Sequence, residues 1–168
     1  MVFLQYLLPQ HFLSRLMFRF ARIENHWVKN NFTRWFIKQY KVNLSEAEIE
    51  NIEDFIHFND FFTRSLKPSL RPISESKIIS PVDGAVSQAG KIHDSQILQA
   101  KGHKYSITSL IADEPFKEIQ NGNFATIYLS PKDYHRIHMP CDGNLISMKY
   151  IPGDLFSVNQ NTVDNIDG

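Results

Sequence analysis

The sequence predicts an α+β protein whose helices and strands are segregated along the chain. Three observations predict it. Large apolar residues recur at helical spacing as far as Tyr40, a Pro-containing stretch around Pro68 and Pro72 interrupts the pattern, and after Lys77 short apolar runs alternate with Gly and Pro breaks. The division expected is a helical region over 1–60, a crossing segment over 61–76 and a β-rich domain over 77–168. Hydrophobic residues make up 42% of the 168 positions and aromatics 12%. That composition supports a buried core and excludes a disordered chain. A single Cys, Cys141, leaves no internal disulfide framework and favours a reducing compartment.

The first helix follows from Phe12, Leu16, Phe20, Ile23 and Trp27, with Arg15, Arg19 and Arg22 beside them. A second follows from Val28, Phe32, Trp35, Phe36 and Tyr40. Neither stripe reaches the ~18 uninterrupted apolar residues that a spanning helix needs. The start, MVFLQYLLP, shows no basic leader and no small-residue cleavage site, so a secretory signal is not expected. The net charge of zero conceals an asymmetry. Residues 1–44 hold seven Lys/Arg against one acid, a charge of +6, which the rest of the chain balances. Aromatic rings combined with Arg on an amphipathic helix suit an anionic bilayer surface. Two helices packed on the protein's own core would give the same stripes.

From Ser45 to Asn59 the chain is acidic, and Ser45 with Glu48 three residues on has the capping-box pattern of a helix start. Phe55, Phe58, Phe61 and Phe62 form an aromatic cluster. Arg64–Ile73, with two Pro and three bases, reads as an irregular crossing. Strands are expected within IISPVDGAVSQAGKI and at Gln96–Ala100, Asn123–Leu129 and Leu145–Ile151. Asn121-Gly122 and Asp142-Gly143 are hairpin-type turn signals.

The segment Tyr128–Gly143, YLSPKDYHRIHMPCDG, concentrates proton-handling groups behind a predicted strand. Ser130-Pro131-Lys132-Asp133 offers an N-cap, a Pro at N1 and an acid at N3. If the helix continues, His135 and His138 share a face; if the chain returns to strand, they point apart. Imidazoles change charge near neutrality, and a carboxylate can fix their tautomer. Asp133 is near in sequence, and Asp83, in the Pro-Val-Asp-Gly turn, is a second candidate partner, although an Asx-turn before Gly84 would also explain it. A metal site lacks a third ligand at diagnostic spacing. A His–Asp general base and a structural polar cluster both stay open. No phosphate-binding loop, dinucleotide fingerprint or basic–aromatic ladder for nucleic acid is present. Cys141, a small residue between Pro140 and Asp142, suits packing.

The stretches FNDFFTRSLKPSLRPI, SPVDGAVSQAGKI, ILQAKGHKYS, YLSPKDYHRIHMPCDG and IPGDLFSVN run in this order from Phe58 to Asn159. Together they resemble the bacterial, pyruvoyl-dependent phosphatidylserine decarboxylase proenzymes. The aromatic, basic head resembles that family's membrane-associating helices. The resemblance implies conversion of phosphatidylserine to phosphatidylethanolamine and CO2 through a pyruvoyl Schiff base. It implies a proenzyme in which a Ser of a Leu-Gly-Ser motif cleaves its own chain and becomes the pyruvoyl group. Asp83 and His138 would form the triad with that Ser, and His135 would protonate the carbanion left by CO2. His103 falls in a family segment, and its flanking Gly and cations point to a loop near the site or the lipid head group. The implied partners are an anionic phospholipid membrane, phosphatidylserine, the pyruvoyl-bearing small chain and a second copy of the chain, with no nucleic acid and no metal. The implied location is peripheral, on the cytoplasmic face of the cell membrane. No Leu-Gly-Ser motif occurs in the 168 residues. The chain is therefore expected to be the front part of the larger chain, without the cofactor-forming Ser and inactive alone. The contrasting reading is a noncatalytic peripheral membrane protein that binds lipid.

Overall fold

A computed structural model describes residues 8–93, 96–100, 103–111 and 121–153. The chain divides into two compact units, one made of Ser14–Ala85 with Leu129–Ser147 and the other centred on Val86–Tyr128. Its mixed α+β content agrees with the expected class.

Helix α1 spans Gln10–Phe20 and α2 spans His26–Tyr40. Between them the chain turns at Ala21–Asn25, where the Asn25 side chain accepts the Val28 N–H at 3.1 Å and caps α2. Helix α2 ends where Lys41 adopts the left-handed conformation, φ 55°. The two helices are used differently. Helix α1 buries no residue, and Phe12, Leu16, Met17 and Phe18 are exposed. Helix α2 sends Phe36 inward, while Trp27 and Trp35 stay exposed. No helix among the described residues is long and apolar enough to cross a membrane.

The core of this unit is aromatic. Phe36, Val42, Phe55 and Phe61 are buried together, with Phe58 and Phe62 packed against them. Ring centroids lie 4.7 Å apart for Phe32–Phe58, 5.0 Å for Phe36–Phe58 and 5.6 Å for Phe55–Phe61, all edge-to-face. Such pairs each contribute about 0.5–1.5 kcal/mol beyond the area they bury. The predicted Phe cluster is therefore the hydrophobic centre.

The helix expected from Ser45 does not form. Single 3-10 turns at Leu44–Glu46 and Ile52–Asp54 precede a short helix α3, Phe58–Phe62. The Ser45 hydroxyl donates to the Asn43 side chain at 2.8 Å, so Asn43 is the cap and Ser45 is not. Meanwhile Glu48 N–H donates to Ser65 O at 2.9 Å and Lys67 N–H to Glu46 O at 3.0 Å. This bridge across Ala47 and Leu66 draws the backbone of 46–48 out of helical pairing. A tertiary partner outweighs the local capping signal.

Strand β1 covers Ala85–Lys91 and β4 covers Asn123–Tyr128, and the two form one two-stranded sheet. Strands β2, Gln96–Ala100, and β3, His103–Ser106, pair antiparallel with a bulge between Leu98 and Ala100. His103 thus opens a strand. Leu145–Ile151 is not a strand among the described residues, and Ile146 is 96% exposed. Its apolar pattern is strand-like, but no neighbouring backbone among those residues supplies a ladder. Asp142-Gly143 accordingly closes no hairpin. Cys141 is exposed instead of packed.

Candidate active site

The YLSPKDYHRIHMPCDG segment leaves β4 and makes one turn. Asp133 N–H donates to Ser130 O at 2.9 Å, and the Asp133 carboxylate accepts the Ser130 N–H at 2.7 Å. The cap signals read from the sequence are used, but the turn does not continue as a helix. The chain is neither helix nor strand at His135 and His138, and the two rings have different partners, Phe62 and Tyr134.

His135 is half-buried at the edge of the aromatic cluster. Its ring stacks on Phe62, with centroids 4.1 Å apart and planes 22° from parallel. Its Nε2 lies 3.1 Å from Ser130 O. A carbonyl oxygen only accepts, so Nε2 carries the proton and Nδ1 holds the lone pair. Burial pushes the imidazole below its ordinary range, the Ser130 carbonyl opposes that, and the Arg64 charge adds to it.

Two arginines secure this loop. Arg64 is buried, and its Nη2 donates to Lys132 O at 2.9 Å. Arg136 Nε returns the grip, donating to Thr63 O at 2.7 Å. The residues after α3 and the residues after β4 are thus tied in both directions.

His138 lies elsewhere. Its backbone N–H donates to Pro81 O at 2.8 Å, and Ile79 N–H donates to Pro140 O at 2.9 Å. These two bonds align 79–81 with 138–140 and bring His138 and Asp83 to the wall of one cavity of about 610 Å³. Arg71, Ser74, Ser80 and Tyr134 complete its polar lining, and Ile73 and Met139 are among its apolar residues. His138 Nε2 lies 2.9 Å from the Tyr134 hydroxyl. When the proton is on Nδ1, the hydroxyl donates to Nε2, which is the tautomer a base acting through Nε2 requires.

Asp83 is not a closed Asx-turn. Its Oδ2 accepts from Arg71 Nη2 at 2.6 Å and Nε at 3.0 Å, while Arg71 Nη2 also donates to Glu46 at 2.9 Å. The guanidinium between two carboxylates fixes the position of Asp83 and leaves Oδ1 outside this clamp. The structure thus brings Asp83 and His138 to one cavity and gives His135 a separate, half-buried setting. Arg71, Arg64 and Phe62 were not legible as site residues. The Arg71 signal was only a base in an irregular segment, and Phe62 read as core.

Residues 58–167 match the phosphatidylserine decarboxylase family, and residues 1–41 match a second family description, PSD. The phosphatidylserine decarboxylase proenzyme of Methylobacillus flagellatus is 53% identical over 167 residues, covering 98% of this chain and 60% of its own. Those of Shewanella woodyi and Pseudomonas fluorescens are 54% and 52% identical, covering 98% and 96% of this chain and 59% and 58% of their own. The chain thus spans about 60% of the length of these curated relatives. Over that span the family match takes in Asp83, His135 and His138 together, and the chain belongs to the phosphatidylserine decarboxylase family.

Proposed function

We propose that this chain is the larger part of a phosphatidylserine decarboxylase proenzyme, which removes CO2 from phosphatidylserine to give phosphatidylethanolamine. The observation that carries the reading is the shared cavity of Asp83 and His138, built from segments more than fifty residues apart. A Ser hydroxyl is a weak nucleophile and needs a base, and the base needs an orienting group. His138 serves as that base and Asp83 as its orienter during self-cleavage. Arg71 holds Asp83 in place.

The pyruvoyl group, formed from a Ser outside these 168 residues, supplies a carbonyl electron sink. The cavity fits a small carbonyl group, because Tyr134 and His138 offer polar atoms on one wall beside apolar Ile73 and Met139. Those two residues would hold it. His135 handles the proton at the carbon that loses CO2. The head, residues 1–44, rests on an anionic bilayer at the cytoplasmic face, and the pyruvoyl-bearing small chain is the obligate partner, with a second copy of the protein as a further one.

The test uses a proenzyme completed with the segment that the relatives carry, read on a gel for cleavage and by CO2 release for turnover. Asp83→Ala, His138→Ala and the double variant should remain uncleaved to a similar degree, since losses from one unit do not add. His135→Ala should cleave and then turn over about 10²–10⁴-fold more slowly. The 168 residues alone should release no CO2. Normal cleavage and turnover in all the variants would overturn the assignment.

A further inference from the structure

We propose that Phe62 and the Ser130 carbonyl hold His135 with its proton on Nε2 and its lone pair on Nδ1, so that it meets substrate as a proton acceptor before it can donate. The inference rests on the decarboxylase reading and adds an order of proton transfers to it. It begins from three restraints on one ring. The Ser130 carbonyl fixes the tautomer, since it can only accept from Nε2 at 3.1 Å. The Phe62 ring, 4.1 Å away and nearly parallel, fixes the plane and removes water from one face. The charged groups that face the imidazole are the Arg64 guanidinium and the Asp133 carboxylate. Arg64 opposes a second positive charge, whereas the Asp133 carboxylate is engaged by the Ser130 N–H at 2.7 Å. Burial of the imidazole acts in the same direction as Arg64.

A ring prepared in this way cannot begin as an acid. Its Nε2 proton is committed to a carbonyl, and Nδ1 has none to give. The substrate, by contrast, arrives with an ammonium group that must lose a proton before its nitrogen can attack a carbonyl carbon. Nδ1 takes that proton: the N–H bond of the ammonium breaks, its electron pair stays on nitrogen, and the imidazole becomes a cation. The same proton is then available on Nδ1 for the carbon from which CO2 has departed. One proton leaves the substrate and one returns, so the ring ends as it began. Phe62 is a positioning residue in this scheme, because it acts through His135.

The experiment reads the ring directly. Nitrogen-15 spectra of the 168-residue chain, and of the completed proenzyme, should show His135 protonated on Nε2 and titrating below the ordinary imidazole value of about 6.5. Phe62→Leu keeps an apolar group but removes the flat face, and should move the midpoint up toward that value. Phe62→Tyr keeps the face and should restore it. Unchanged His138 resonances in each variant would show that the fold is kept. In the completed proenzyme, Phe62→Leu should lower kcat and leave self-cleavage intact. A proton on Nδ1 in the parent protein, or a midpoint that Phe62→Leu does not move, would overturn the inference. Absence of any CO2 release with the His135 titration as described would instead count against the decarboxylase reading.

Discussion

Lys29, in helix α2, is 2% exposed. Its Nζ donates to Phe55 O at 2.6 Å, Glu53 O at 3.0 Å and Ile52 O at 3.2 Å. An ammonium has three N–H groups, and here each has a carbonyl. The three acceptors lie in one irregular stretch, so this single side chain replaces the helical hydrogen bonds that 52–55 does not make. Burying a cation is expensive unless every proton is satisfied, and removing it would strand several carbonyls. Lys29→Met, which keeps the bulk, should therefore lose roughly 2–4 kcal/mol in a denaturant titration. A loss under 0.5 kcal/mol would mean that water serves those carbonyls equally well. Arg64 follows related logic with less satisfaction, since its Nε and Nη1 find no hydrogen-bond partner among the described residues. Desolvation lowers its pKa accordingly, opposed by Glu46 and Asp133.

At the scale of the element, helix α1 stands out. Its stripe was legible from Phe12, Leu16 and Phe20, but periodicity alone did not say what the stripe faces. In the structure α1 buries nothing, while α2 supplies Phe36 to the core. The exposed rings beside Arg15, Arg19 and Arg22 are motive enough to test a bilayer. Vesicles containing anionic lipid should sediment with the full chain, and far less with a version lacking residues 1–44. Each base near such a surface contributes about 1 kcal/mol, and salt should weaken the binding strongly. Equal sedimentation of both versions would sink the membrane assignment. The elements that sequence misjudged share one cause. Ser45 has the right local chemistry for a cap, and Leu145–Ile151 has the right alternation for a strand. In both cases the deciding factor is a partner distant in the chain, which composition does not reveal.

Taken whole, the fold was legible as α+β, the aromatic cluster was visible as a cluster, and β2 and β4 fall at nearly their expected limits. The candidate site was legible in part. Asp83, His135 and His138 were visible as titratable residues in turn-like surroundings. Their separation into two environments was not, because it depends on where Ser130-Pro131-Lys132-Asp133 stops turning and on the two backbone bonds between 79–81 and 138–140. Arg71 was invisible for the same reason: its meaning comes from Glu46 and Asp83, twenty-five and twelve residues away.

Cys141 follows Pro140, whose carbonyl helps align the cavity wall, and it is exposed. As the chain's one thiol it offers a single point of chemical attachment three positions from His138. A maleimide dye should couple there in native buffer, at one equivalent per chain and at a rate that denaturant does not raise. The attached dye would then report by its colour and polarisation whether a second polypeptide comes to cover this wall. A thiol that reacts only after unfolding would mean that the wall is already covered.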